Sequence, residues 1–461
     1  MRLFRTLILG FVVSPVAWPA DRTALDRYIE TPDPAYRYEQ VATLKGDGVT
    51  AAVLDMTSQN WLTSAEVDRT LWQHWVTVIQ PAEVKTSIGL LFIGGGANDG
   101  KPPGRIEQNL AGVARETGSV VTELRMVPNQ PLVFGNDGKK RSEDDLIAYA
   151  WDKFLRTGSP KWLPRLPMTK SAVRAMDTVT DFCRKSVGIT VDKFVVAGGS
   201  KRGWTTWTTA AVDKRVVAIA PIVIDLLNVV PSFQHHWRVY GFWSPAIKDY
   251  ELQGIMNWTE RPEYRELLKV VEPFEYRDRL TMPKLIMNSS GDQFFLPDSS
   301  QFYFDQLKGE KFLRYVPNSD HSLRNTDAYE SLLSFFGMIV NGARRPRFSW
   351  KKQKDGSIHL GTHDAPREVR LWQATNSKAR DFRLATLGPV WKSSPVAGNN
   401  GIFLGKVEKP AEGFTAFFLE LTYPGLGNRP LKLTTEVSVV PDVYPHTPFK
   451  PDTAQLPPVR K

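Results

Sequence analysis

Between about residues 40 and 340 the chain alternates short apolar, β-branched runs with amphipathic stretches, the pattern of a mostly parallel sheet with helices on both faces. The apolar runs predict strands over 49–54, 75–79, 88–93, 120–126, 194–197, 216–224, 284–288 and 312–316. Apolar residues at helical spacing predict helices over 142–155, 171–185, 201–211 and 327–341. One stretch, about 228–276, breaks the alternation. It is dense in aromatics, among them Phe233, Trp237, Tyr240, Trp243 and Trp258. In a doubly wound sheet an insertion here lies over the carboxyl ends of the strands, so it is expected to form a lid or a substrate wall. Beyond 341–346 the pattern changes to short alternating runs at 357–360, 368–374, 382–386, 402–407, 415–423 and 431–440. They are separated by turn residues such as Asp355-Gly356, Asn399-Asn400-Gly401 and Pro424-Gly425, which predicts a small β-sandwich of immunoglobulin-like type. The tail from 444, with Pro445, Pro448, Pro451, Pro457 and Pro458, is expected to be extended or disordered.

Length supports this division. At 461 residues the chain exceeds what a single core usually organises. The expected units are an export signal over 1–20, an α/β domain over 21–343, a β-sandwich over 344–443 and the tail over 444–461. The signal rests on Arg2 and Arg5 ahead of an apolar run from Leu7 to Val13, followed by small residues near Ala17 and Ala20. A periplasmic or secreted protein is therefore expected, with no membrane span after signal removal, because no later stretch holds about 18 consecutive apolar residues. The single cysteine, Cys183, sits at helical spacing with Val173, Met176 and Val179 and reads as a buried packing residue. The formal charge of +10 is unevenly placed, since residues 345–461 carry 18 Lys+Arg against 10 Asp+Glu. That basic half suggests an anionic envelope surface as a partner, with ordinary solvated charge as the alternative.

The strongest chemical signal is Val195-Val-Ala-Gly-Gly-Ser-Lys-Arg-Gly-Trp204, an apolar strand running through Gly198, Gly199 and Ser200 into a helix-forming segment. A nucleophile on a sharp strand-to-helix turn needs small neighbours, and the N–H of the next residue, Lys201, then faces the oxyanion. Here Arg202 stands where a glycine is usual, and Gly203 comes one residue later. A carboxylate, Asp292, follows the strand at 284–288, and His321 follows the strand at 312–316. Nucleophile, acid and histidine thus occur in the chain order used by α/β-hydrolases, each at the carboxyl end of a strand. Ser200 is the candidate nucleophile, His321 its general base and Asp292 the group that orients the imidazole. Asp225, Asp298 and Asp320 are rival acids, and His74, His235, His236, His359, His363 and His446 are weaker bases. Successive glycines at 94–96 make Gly95 and Gly96 candidates for further oxyanion donors. Arg202, Trp204, Trp237 and Trp243 are candidate substrate contacts. Lys201 and Arg202 either orient an acidic substrate or form an ordinary helix-face salt bridge. No Cys/His cluster, HExxH, calcium loop, GxGxxG or Walker lysine occurs, so no metal, no cofactor and no nucleic-acid partner is expected.

The chain resembles the PhoPQ-activated pathogenicity-related (PqaA-like) protein family. The residues that carry the resemblance are Ala24-Leu-Asp-Arg-Tyr-Ile-Glu-Thr-Pro-Asp-Pro-Ala-Tyr-Arg-Tyr38, Trp72-Gln-His-Trp75, Gly94-Gly95-Gly96 and, most specifically, Gly199-Ser-Lys-Arg-Gly-Trp-Thr205. The resemblance implies an α/β-hydrolase domain in an exported bacterial protein connected with virulence. The Ser-Lys-Arg-Gly run is also distantly similar to the Ser-Arg-x-Gly of glucuronoyl esterases, which implies an oxyanion role for Lys201. The expected activity is hydrolysis of an ester or amide in a small molecule, glycan or peptide through an acyl-enzyme on Ser200. An esterase is expected first. A peptidase, or a hydrolase-fold binding or signalling protein without turnover, is the alternative.

Overall fold

The structure, a computed structural model, describes residues 22–427 and 429–460; the segment 1–20 expected to be an export signal lies outside the described residues. The strands in chain order are β1 Arg37–Gly46, β2 Val49–Asn60, β3 Leu71–Pro81, β4 Ile88–Ile93, β5 Val121–Leu124, β6 Lys193–Gly199, β7 Val216–Ile222, β8 Lys284–Ser289 and β9 Lys311–Val316. The C-terminal region adds β10 Phe348–Lys352, β11 Ile358–Thr362, β12 Glu368–Asn376, β13 Lys392–Pro395, β14 Ile402–Gly405, β15 Phe414–Pro424, β16 Pro430–Thr434 and β17 Ser438–Val440. The helices are α1 Ala24–Glu30, α2 Gln108–Thr117, α3 Glu143–Thr157, α4 Arg165–Phe182, α5 Lys201–Val212, α6 Val229–Tyr240, α7 Lys248–Leu252, α8 Pro262–Val271, α9 Ala328–Val340 and α10 Leu384–Leu387.

Strands β1, β2, β3 and β5 pair antiparallel, whereas β5, β4, β6, β7, β8 and β9 run parallel in that spatial order. An antiparallel start, one exchange of neighbours (β5 before β4) and a parallel run beyond is the strand order of α/β-hydrolases. Helices lie on both faces: α2 and α9 pack with one set of sheet side chains, and α3, α4, α5 and α8 with the other. Strands covered on both sides must be apolar throughout, which is why β4 (IGLLFI) and β6 (KFVVAGG) read as continuous runs. The edge strand β1 (RYEQVATLKG) is half exposed and mostly polar, and no apolar run marks it.

The C-terminal strands form a β-rich region of their own that is hydrogen-bonded to this sheet. β16 bonds to β9 through Thr434 and Leu313, and the sheet continues through β15 and β12 to β13, giving a 14-stranded sheet in all. β10, β11 and β14 form a second, three-stranded sheet. Arg314 of β9 is buried at the junction, where it pairs with Glu420 of β15 and donates to Asp327 at 2.7 Å. Several C-terminal cations are likewise tied to the central region, including Arg380 to Asp298, Arg429 to Glu116 and Lys432 to Asp327. The run 382–386 is not a strand. It forms a loop and the short α10, with Phe382 anchored against Trp391 and the Leu384 N–H bonded to the Gly291 carbonyl at 2.9 Å. The tail is extended, and its Phe449 packs on Trp237 and Trp243.

Candidate active site

β6 ends at Gly199 and α5 begins at Lys201, so Ser200 alone makes the turn. Its backbone is forced to φ 57, ψ −124, a strained conformation for a residue with a side chain. Its N–H is held by the Ile222 carbonyl at 2.8 Å and its carbonyl accepts the Trp204 N–H at 2.9 Å. The close approach of α5 to the sheet explains the displaced glycine. A Cβ at Gly203 would lie 2.9 Å from the carbonyl oxygens of Gly198 and Ile222, and one at Gly198 would lie 2.8 Å from the Arg202 carbonyl. Glycine is thus required at 203, while the residue before it turns outward and can be large.

The candidate acid and histidine follow β8 and β9, two and three strands after β6 along the chain. Asp292, buried in the loop after β8, accepts from His321 Nδ1 at 2.8 Å through one carboxylate oxygen, and from the Phe294 N–H at 2.7 Å through the other. Phe294 lies against the imidazole with ring centroids 4.4 Å apart, and Gln293 Oε1 accepts the His321 N–H at 3.2 Å. The imidazole plane is therefore fixed by an acid, an aromatic face and a backbone bond. His321 Nε2 is buried without a protein partner. Ser200 and His321 line one pocket of about 440 Å³.

The rival acids are engaged elsewhere. Asp320 caps its own turn through Ser322, Asp298 pairs with His235 and Arg380, and buried Asp225 accepts from the hydroxyls of Tyr303 and Tyr315. Burial pushes the Asp225 carboxyl up to about 7, and burial likewise pushes Glu272, at the end of α8, up to about 8. An acid whose folded value is raised stabilises the fold fully below its unfolded value and loses that stability as pH rises through the folded one. Urea unfolding is therefore expected to show stability falling between about pH 4 and pH 8, by up to about 1.4 kcal/mol per pH unit for each group. Glu272→Gln flattens the upper part of that slope; a variant as pH-dependent as the wild type contradicts the assignment.

The remaining expected site residues are placed as follows. The Lys201 ammonium donates to Asp144 at 2.9 Å and lies 3.1 Å from Glu143, so its side chain is occupied; its backbone N–H opens α5, where the helix supplies no acceptor. Arg202 is a correction to the expected substrate contacts. It forms a two-pronged pair with Glu143 and donates to the Val127 carbonyl, beneath Gly95, where a Cβ would meet its guanidinium at 2.7 Å. Although burial opposes ionisation of Glu143, Arg202 and Lys201 bring its carboxyl down to about 2. Gly95 accepts the Met126 N–H, and Gly96, at φ 139, packs on Met126; neither lines the pocket.

Trp204, Trp237 and Trp243 are also corrected, since none of them lines the pocket. Trp204 is buried against Trp151 and donates its indole N–H to the Val271 carbonyl. Trp237 and Trp243 pack on each other at 5.2 Å and belong to the apolar interior around α6. No described residue of the 228–276 insertion is among those that line the pocket. The wall that sequence reasoning missed comes instead from α2, from the loop after His321 and from α9, with Leu110, Val113, Leu323 and Leu332 facing Phe92 and Met287. Two carboxylates, Glu107 and Glu123, complete it.

Comparisons with known proteins bear on identity. The model of the PhoPQ-activated pathogenicity-related protein family matches residues 25–383. The chain is 39% identical over 474 aligned residues to autocrine proliferation repressor protein A of Dictyostelium discoideum, covering 96% of this chain and 94% of that protein. Among solved structures it is similar to the acetyl xylan esterase from Paenibacillus sp. R4, with TM-score 0.48, 14% identity and coverage of 69% and 91% of the two chains. It is also similar to acetyl xylan esterase 1 from Thermoanaerobacterium sp. JW/SL YS485, with TM-score 0.46, 14% identity and coverage of 68% and 92%. The family match spans Ser200, Asp292 and His321, and the chain belongs to the PhoPQ-activated pathogenicity-related protein family.

Proposed function

We propose that the protein is a serine hydrolase that cleaves esters through an acyl-enzyme on Ser200. The observation that carries this is the 2.8 Å bond from Asp292 to His321 Nδ1, which leaves the buried and unpartnered Nε2 in the same pocket as a serine on a strained turn. Ser200 Oγ attacks the substrate carbonyl carbon while His321 Nε2 takes the hydroxyl proton. Asp292 holds the Nδ1–H tautomer and stabilises the imidazolium. The oxyanion takes the Lys201 N–H. Collapse breaks the bond to the leaving oxygen, which receives the proton from His321. Water then adds to the acyl carbonyl by the same route, releasing the acid and restoring the serine. In this proposal Lys201 acts through its backbone, because its ammonium is committed to Asp144. The signal-like segment 1–20 supports work in the periplasm or outside the cell, on envelope or extracellular material, and the family name supports a link to virulence.

A fluorophosphonate probe tests the proposal. The wild-type protein is expected to take up one adduct, found by mass spectrometry on the peptide that holds Ser200, and Ser200→Ala is expected to take up none. A wild type that stays unlabelled while folded would favour a binding or signalling role for the same fold.

A further inference from the structure

The pocket that opens at Ser200 and His321 runs between the carboxyl ends of β4, β7 and β8 and the facing sides of α2 and α9. Its walls are apolar, with Phe92, Leu110, Val113, Met287, Leu323 and Leu332 among them. The far helices are braced where the Tyr329 hydroxyl donates to the Asn109 carbonyl at 2.8 Å, close to Gly112, which leaves room for it. Among the described residues its lining holds two carboxylates, Glu107 and Glu123, and no lysine or arginine. Glu107 caps α2 by accepting the Leu110 N–H at 2.9 Å, and Glu123 sits on β5 opposite Phe92 of β4. Glu123 is shielded on one side by Arg125 at 2.9 Å, but Arg125 is not part of the pocket wall. The two cations beside the nucleophile, Lys201 and Arg202, point away to Glu143 and Asp144.

We infer that the site selects esters whose acyl group is apolar and uncharged, several carbons long, and that Glu123 is the residue that rejects an anionic acyl group. This rests on the hydrolase reading of the same pocket. An aliphatic chain entering a pocket of about 440 Å³ leaves water for apolar walls, and each added methylene strengthens the transition-state complex by about fourfold while it still fits. A terminal carboxylate would lose its hydration and meet Glu107 and Glu123, with no lysine or arginine among the described residues of the wall to compensate. Acidic acyl groups are therefore excluded by charge as well as by lost solvation, and a neutral acyl chain meets neither obstacle.

The test compares 4-nitrophenyl acetate, butyrate and hexanoate with the 4-nitrophenyl monoester of adipic acid, which matches hexanoate in length and adds a carboxylate. kcat/KM is expected to rise from acetate to hexanoate and to fall on the order of 10²-fold from hexanoate to the adipate monoester. Glu123→Gln narrows that ratio, and Arg125→Gln, which unmasks the Glu123 charge, widens it. Opposite movement of the two variants is a signature that a merely structural role for the pair does not give. An adipate monoester cleaved as well as hexanoate, or two variants that move the ratio the same way, overturns the inference. Binding separates this from the fate of the hydrolase reading. Titration of the Ser200→Ala protein by NMR is expected to show hexanamide bound at least tenfold more tightly than adipamate. Discrimination between these amides without any ester turnover sinks the hydrolase reading alone, whereas equal binding sinks the specificity.

Discussion

Asp292→Asn is expected to lower kcat on a 4-nitrophenyl ester by about 10⁴-fold and to leave KM nearly unchanged. The acid is buried behind the imidazole and is not itself part of the pocket wall, so substrate binding does not report its loss. What changes is the proton. Asp292 accepts from His321 Nδ1 at 2.8 Å, which places the lone pair on Nε2, an unpartnered atom of a residue that lines the same pocket as Ser200. An amide at 292 offers an N–H in the same place and favours the opposite tautomer, with the proton on the nitrogen that has to accept one. The same substitution at Asp320, which bonds only to its own turn through Ser322, is expected to change kcat by less than twofold. Steady-state kinetics, with melting curves to show that both variants are folded, measure the difference. A loss under tenfold for Asp292→Asn, or equal losses at 292 and 320, removes Asp292 from the acid role.

The parts of this arrangement that the sequence made legible are those in which one physical cause dominates a short stretch. β4, β6, β8 and β9 are covered on both faces, so their apolar runs mark them to within two residues, and Ser200, Asp292 and His321 follow the carboxyl ends of three of those runs. β1 escaped because an edge strand with one wet face carries Arg37, Glu39, Gln40 and Lys45, which no apolar count picks out. Phe382 and Leu384 misled for the opposite reason. They are apolar because a loop is anchored by them against Trp391 and Gly291, and burial of that kind has no period. The aromatic density of the insertion reflects packing, since Phe233, Trp243 and Trp258 are buried in the same apolar core as the sheet and Trp237 packs against it. The helix 327–341 was legible as a helix, yet which side of the sheet it covers depends on crossover geometry that spacing does not record. That choice decides that Leu332 and Tyr329, and not Trp237 or Trp243, line the pocket. Arg202 is the instructive case at the nucleophile. Its position in the motif looked like a departure, and the cause lies in two close backbone approaches at Gly198 and Gly203 that a sequence expresses only as glycine.

Asp298→Ala is expected to cost about 3–5 kcal/mol of folding stability, because it removes the shared acceptor of two buried cationic or hydrogen-bonding groups. One oxygen of Asp298 meets His235 Nε2 at 2.8 Å and the other meets Arg380 at 2.6 Å, all three side chains being almost wholly buried. Burial opposes ionisation of Asp298, and His235 and Arg380 nonetheless hold its carboxyl far below the usual carboxylate range. The cluster joins the loop after β8, helix α6 and the C-terminal strands, with Arg380 also donating to the Val443 carbonyl at 2.9 Å and His235 Nδ1 meeting the Tyr444 hydroxyl at 3.1 Å. Alanine leaves the Arg380 charge buried with only Asp442, at 3.3 Å and half exposed, to answer it. The damage is expected to reach the catalytic loops, because the same C-terminal segment holds Gly291 through Leu384 and holds Asn318 through paired bonds to the Trp391 backbone at 2.9 and 3.0 Å. Urea denaturation measures the first effect, and kcat on a 4-nitrophenyl ester under folding conditions the second. The double variant Asp298→Ala/Arg380→Met removes the stranded charge along with its partner, and it is expected to regain at least half of the lost stability. A single variant that loses less than about 1 kcal/mol, or a double variant no more stable than the single, shows that the ion cluster does not hold these elements together.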